Sequence, residues 1–77
     1  MYLLRVSDPA DLARVRDFLR NVHVVAQPRD DDTVIVSLPQ ALSELHERRE
    51  IAGYVTTWNA LNPGRPIELI HRPQPGA

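Results

Sequence analysis

The chain has 77 residues, of which nine are basic, ten are acidic and none is cysteine. Disulfides and thiolate metal sites are therefore excluded, and a net charge near zero provides no general attraction to nucleic acid or anionic lipid. A chain of this length makes one domain that buries only about 60% of its unfolded surface. With no covalent staple available, we expect so small a core to gain buried area by self-association.

The first predicted element is a strand from Tyr2 to Val6. Its residues alternate, so that Tyr2, Leu4 and Val6 share one face and Leu3 and Arg5 share the other. The apolar stretch is too short for the core of a signal peptide. Because no apolar run approaches the roughly 20 residues of a membrane span, we expect a cytoplasmic protein with no membrane partner.

A helix is predicted next, from about Pro9 to Arg20. Asp8 is a typical N-cap residue, and Pro9 suits the first helical position. Asn21 is predicted to cap the C-terminus. The apolar residues recur at the spacing of one buried helical stripe: Leu12, Val15, Phe18, Leu19 and Val22.

Two strands follow, Val22–Gln27 and Thr33–Leu38. The intervening Arg29 and three aspartates are typical of a turn, because aspartate side chains hydrogen-bond their own backbone. The short separation predicts a hairpin. Pro28 favours an edge position for the first of these strands, since proline has no N–H to donate to a neighbour.

The longest predicted element is a second helix from Ser43 to Leu61. Its start lies either at Pro39 or at Ser43, and Ser43 is preferred because Ala41 and Leu45 lie off the later buried stripe. Gly53 costs up to about 1 kcal/mol inside a helix, which predicts a close neighbour there. The buried stripe contains Ile51, Tyr54, Val55, Trp58 and Leu61.

A last strand, Ile67–His71, follows Pro66, and this proline again favours an edge. The sequence therefore predicts a single α+β domain over residues 1–72 and a flexible tail over residues 73–77.

The order strand, helix, strand, strand, helix, strand is that of the ferredoxin-like, or split β-α-β, arrangement. It predicts a four-stranded antiparallel sheet with the first and third strands in the centre and two helices on one face. Many unrelated functions share this fold, so the fold alone identifies no activity.

The face of the sheet opposite the helices is predicted to be partly apolar. Monomers rarely leave such a patch in contact with water, although scattered surface aliphatics are common. We expect a homodimer formed through sheet faces or edges. The candidate dimer interface contains Leu3, Val25, Ile35 and Ile70.

A polar surface is predicted at the start of the second helix. This helix, about 28 Å long at 1.5 Å per residue, exceeds strands of about 17–20 Å, so its first turns should overhang the sheet. Glu44, Glu47 and Arg48 lie there and form a candidate surface for a partner, or simply a solvated face.

The sequence contains no nucleophile–base pair, paired acids or metal-ligand set. His46 and Glu50 have the spacing of two ligands on one helix face, but no second pair supports a metal site. We therefore expect a non-catalytic protein with neither a metal nor another cofactor.

Our leading interpretation is a small homodimeric binding or accessory module with a regulatory role, which binds a protein partner or a small ligand. The alternative is a nucleic-acid-associated protein that contacts phosphates through Arg14, Arg16 and Arg20 of the first helix. This alternative is disfavoured because the predicted outer face of the sheet has no aromatic residue on which bases could stack.

Overall fold

The computed structural model describes residues 1–70, and the predictions for His71 and for residues 73–77 lie outside this part of the chain. No helix within it has both the length and the apolar character needed to cross a membrane. The elements are β1 (Tyr2–Val6), a 3₁₀ turn (Pro9–Asp11), α1 (Leu12–Asn21), β2 (Val25–Pro28), β3 (Thr33–Ser37), α2 (Glu44–Leu61) and β4 (Ile67–Leu69).

The four strands form one antiparallel sheet in the order β2-β3-β1-β4. The first and third strands are therefore central, as predicted, and the two strands associated with proline lie at the edges. Pro28 lies opposite Val34 in the pairing of β2 with β3. An edge position tolerates this residue because one side of the strand has no neighbour that requires an N–H donor.

One face of the sheet carries the hydrophobic core. The register places Tyr2 opposite Val36, and Leu4 opposite Val34 and Leu69. Since opposed residues point to the same side of a sheet, these side chains lie together beneath the helices. They pack with buried residues from both helices, namely Val15, Leu19, Ile51 and Trp58. The predicted α+β class, with two helices and a four-stranded antiparallel sheet, is confirmed.

Trp58 joins the two helices to the segment that follows α2. Its ring contacts that of Phe18 edge-on, with 5.5 Å between the centroids, and its indole N–H donates to the carbonyl oxygen of Arg65 at 3.0 Å. The indole is buried, as the helical stripe predicts, but Leu61 at the end of the predicted stripe is 68% exposed, because it is the last residue of α2. The chain reverses after Asn62, where Gly64 has a φ of 88°, a backbone conformation that glycine adopts without steric cost.

Asn59 attaches the same part of α2 to the edge strand β4. Its side-chain amide donates to the carbonyl oxygen of Ile67 at 3.1 Å, and its carbonyl oxygen accepts from the Ile67 N–H at 2.8 Å. The side chain thus satisfies a donor and an acceptor of the strand backbone, as a neighbouring strand would. This pair of bonds fixes β4 beneath the helix.

The connection between α1 and β2 differs from its prediction. Asn21 is the last helical residue and not the cap. The next two amides turn back, since Val22 donates to Leu19 and His23 to Arg20. His23 has a φ of 66°, a left-handed position more often occupied by glycine or asparagine. The chain therefore turns where a strand from Val22 was expected, and β2 begins only at Val25.

Other boundaries shift by one to three residues. A 3₁₀ turn precedes α1, capped by Asp8, whose carboxylate accepts from the Ala10 N–H at 3.0 Å. The start of α2 at the Ser43 cap is confirmed, because the Ser43 hydroxyl accepts from the His46 N–H at 3.1 Å. The prediction of a close neighbour at Gly53 is wrong, because a Cβ atom there would meet nothing within 4 Å in the described chain.

Candidate functional site

The candidate binding surface is the outer face of the sheet, opposite the helices. Leu3 lies beside Ile35 in the register of β1 with β3, and the Ile70 N–H donates to the Leu3 carbonyl oxygen at 2.9 Å. The three side chains form a half-buried apolar row across the sheet. Val25 lies opposite Ser37 towards one end of this face and is 51% exposed. The four residues predicted from the sequence therefore share one surface.

A polar row crosses the other end of the outer face. Arg5 lies between Thr33 and Glu68 in the strand register. The Arg29 N–H donates to the Thr33 carbonyl oxygen at 2.9 Å, which extends this row to the β2 edge. Within residues 1–70 neither Arg5 nor Glu68 forms an ion pair, although both are exposed. Both charges remain available to a partner.

Glu47 has a different environment from the one expected for a polar partner surface. Only 13% of its side chain is exposed, and its carboxylate accepts from the N-terminal ammonium of Met1 at 2.6 Å and from the Leu38 N–H at 2.8 Å. Burial would raise the pKa of Glu47, but these two contacts outweigh that effect and lower the pKa below its usual value. Glu47 therefore ties α2 to the sheet, while Glu44 and Arg48 are exposed.

A shallow depression of about 390 Å³ lies beside this contact, lined by Leu38, Pro39, Ala41, Ser43, Glu44 and Glu47. Two leucines that are close in sequence to these lining residues are exposed to solvent: Leu42 is 92% exposed, and Leu45 is also exposed. The exposure of Leu45 could be predicted from the sequence, because the helical projection places this residue away from the buried stripe. The exposure of Leu42 follows from the Pro39–Ser43 connection, whose path was not predicted.

The three arginines proposed as phosphate contacts have separate partners. Arg16 pairs with Asp17 at 3.2 Å, and Arg20 donates to the carbonyl oxygen of Ala26 at 3.2 Å. Arg14 pairs with Asp11 and lies 6.0 Å from the centre of the Trp58 ring. Their contacts give no indication that the three guanidinium groups act on one ligand together.

Asp11 forms a charged cluster that was not predicted. Its side chain is 3% exposed, and a single oxygen, Oδ1, accepts from Arg65 at 3.0 Å and from Arg14 at 3.4 Å. The other oxygen, Oδ2, is buried and has no hydrogen-bond partner among residues 1–70. Arg65 is distant in sequence, so only the tertiary structure brings it to Asp11.

The histidines form no shared centre in the described part of the chain. His46 Nε2 lies 3.7 Å from Glu50, as the helical spacing predicts, and His46 Nδ1 accepts from the Leu42 N–H at 3.2 Å. Residues 1–70 contain no group of three histidine, aspartate or glutamate side chains placed to hold a metal ion. His46 and Glu50 therefore form a local contact on α2.

Comparisons with protein-family models, with curated proteins and with solved structures found no match to this chain.

Proposed function

We propose that this chain is a small non-catalytic module with the ferredoxin-like arrangement, which forms a homodimer through the outer face of its sheet. In this proposal it has a regulatory or accessory role in the cytoplasm and binds a protein partner or a small ligand. The antiparallel order β2-β3-β1-β4 supports the fold assignment. The observation that carries the dimer is the apolar row of Leu3, Ile35 and Ile70, beside Arg5 and Glu68, which form no ion pair within residues 1–70.

The arrangement of this face favours a second copy of the chain as its occupant. A two-fold axis parallel to the strands, between β1 and β3, would bring Leu3 of one copy opposite Ile35 of the other. The same rotation would bring Glu68 opposite Arg29, so that opposite charges meet at both rims. Each contact then occurs twice, as in any isologous interface.

The size of the face suggests a reversible dimer. Four strands spaced about 4.8 Å apart span roughly 19 Å, and the two central strands, at about 3.3 Å per residue, span roughly 17 Å, while β2 and β4 have only four and three residues. This area is small for a permanent complex. We therefore expect dissociation in the micromolar range of protein concentration, where sedimentation measurements resolve both species.

Glu47 has a structural role and is not a candidate general acid or base. Its lowered pKa keeps the carboxylate ionised at neutral pH, and both of its contacts are with donors of the chain itself. A general acid or base instead requires a pKa near the working pH. The ionised Glu47 carboxylate is thus suited to holding α2 against Met1 and Leu38.

Sedimentation velocity across micromolar concentrations tests the dimer. Ile35→Glu places a charge in the apolar row and should give a monomer with a native circular dichroism spectrum. Leu61→Glu is the matched control, because Leu61 is an exposed leucine at the end of α2 and should leave the dimer intact. A parent protein that remains monomeric throughout this range would contradict the proposal.

The rim charges test the orientation separately. Glu68→Arg or Arg29→Glu alone should weaken the dimer about tenfold, because like charges then meet across the interface. The two changes together should restore it. A dimer that is insensitive to all three variants would retain the self-association but exclude this two-fold axis.

A further inference from the structure

We propose that Arg14 and Arg65 form a binding site for a phosphate group on the side of the molecule that carries the helices. Their guanidinium groups meet at Asp11 Oδ1, at 3.4 Å and 3.0 Å, and are therefore immediate neighbours. Arg14 comes from α1, and Arg65 comes from the segment between α2 and β4. The site is independent of the outer sheet face and does not require a dimer.

The contacts with Asp11 leave most of the arginine donors available. Each guanidinium has five N–H groups but reaches Asp11 through one nitrogen, and both use the same oxygen. A structural pair commonly uses both carboxylate oxygens in a bidentate contact, whereas here Oδ2 receives no bond within the described residues. The Arg14 and Arg65 side chains are 59% and 51% exposed, so their remaining donors face solvent.

The local charge also favours an anion. Arg14 lies in the first turn of α1, where the positive end of the helix dipole makes a cation unfavourable. The buried carboxylate of Asp11 offsets one of the two guanidinium charges. Asp8, which caps the preceding 3₁₀ turn, already accepts from the Ala10 N–H. A further anion between the arginines would reduce the repulsion between the two guanidinium groups. It would also reduce the repulsion between Arg14 and the positive end of α1.

A phosphate group fits these donors better than a carboxylate does. A carboxylate presents two oxygens in one plane and is matched by the fork of a single guanidinium. A phosphate presents three oxygens in different directions, so it can accept from two guanidinium groups that approach from different elements. The inferred ligand is therefore phosphorylated, with the phosphate belonging either to a small molecule or to a polynucleotide.

Trp58 provides a direct reporter for this site. It is the only tryptophan of the chain, its ring lies 6.0 Å from the Arg14 guanidinium, and its indole N–H donates to the backbone of Arg65. Binding between the two arginines should therefore change its fluorescence. Titration with sodium pyrophosphate at low ionic strength should give a saturable change that sodium chloride of equal ionic strength does not reproduce.

The variants Arg14→Gln and Arg65→Gln should each weaken pyrophosphate binding about tenfold, the effect of losing one charged hydrogen-bonding partner. Arg48→Gln is the matched control, because Arg48 is an exposed arginine about 15 Å from Trp58 along α2. Arg14→Lys and Arg65→Lys keep the charge beside Asp11 but lose the planar fork. We expect these variants to fold and to bind more weakly than the parent.

A fluorescence change no larger than that of sodium chloride, or equal weakening by Arg48→Gln, would overturn the proposal. Acetate that binds as tightly as pyrophosphate would overturn the choice of phosphate. Competition by an oligothymidylate that depends on both arginines would identify polynucleotide phosphate as the ligand. Failure of the oligothymidylate to compete, with pyrophosphate binding retained, would identify a free phosphorylated ligand.

Discussion

Replacing Trp58 by alanine should remove most of the stability of this domain. The indole is buried, contacts Phe18 and donates to Arg65, and truncation of a buried tryptophan typically costs about 3–5 kcal/mol. A chain of this length has a stability of about 4–12 kcal/mol, and small domains lie near the lower limit because they bury less surface. We therefore expect Trp58→Ala to be mostly unfolded at 25 °C.

Far-ultraviolet circular dichroism during urea and thermal unfolding is the appropriate assay, since the substitution removes the fluorescent reporter. Trp58→Phe keeps a ring against Phe18 but leaves the Arg65 carbonyl oxygen without its donor. We expect this variant to fold with a loss of about 1–2 kcal/mol. Leu61→Ala, at an exposed position of the same helix, should change stability by less than about 0.5 kcal/mol. A cooperative transition of Trp58→Ala near that of the parent would refute a core role for the indole.

Three further changes test contacts of α2. Because the pKa of Glu47 is lowered in the folded protein, the ionised carboxylate stabilises the fold above its unfolded pKa, and this stabilisation is lost as the pH falls through the folded pKa. The difference in free energy of unfolding between the parent and Glu47→Gln should therefore shrink from pH 7 to pH 3. A difference that is independent of pH would contradict this. Gly53→Ala should raise the free energy of unfolding by about 0.5–1 kcal/mol, because its Cβ meets open space and alanine favours the helix; urea unfolding checks this, and a loss of stability would indicate a contact at this position. Asn59→Ala should cost about 1–3 kcal/mol, since both its bonds to Ile67 are lost, and hydrogen exchange at the Ile67 amide should accelerate; unchanged protection of that amide would show that the side chain does not hold β4.

Local patterns were sufficient where one short segment determined the outcome. The alternation of Tyr2, Leu4 and Val6 predicted the buried face of β1, and Ser43 was correctly preferred as the cap of α2. The turn at His23 could not be predicted in the same way. A left-handed backbone is uncommon for any residue other than glycine, and although histidine adopts it more often than most residues, one histidine does not mark a turn in a sequence.

The roles of charged residues were the least predictable from local patterns. Glu47 occupies a favourable first turn in any isolated helix, yet its contacts with Met1 and Leu38 depend on how β1, β3 and α2 come together. The Asp11 cluster likewise depends on Arg65, which is 54 residues away in the chain. Contacts between charges on separate segments depend on how those segments pack, and periodicity within one segment contains no information on those distances.

The sequence by itself determined the number, type and order of the elements and which side of each one is apolar, because these follow from residue spacing along the backbone. Only the tertiary structure decided which charged side chains meet: Glu47 with the chain start, and Arg14 with Arg65 at Asp11. The physical reason is that periodicity acts within one segment, whereas the packing of separate segments brings distant charges within hydrogen-bonding range.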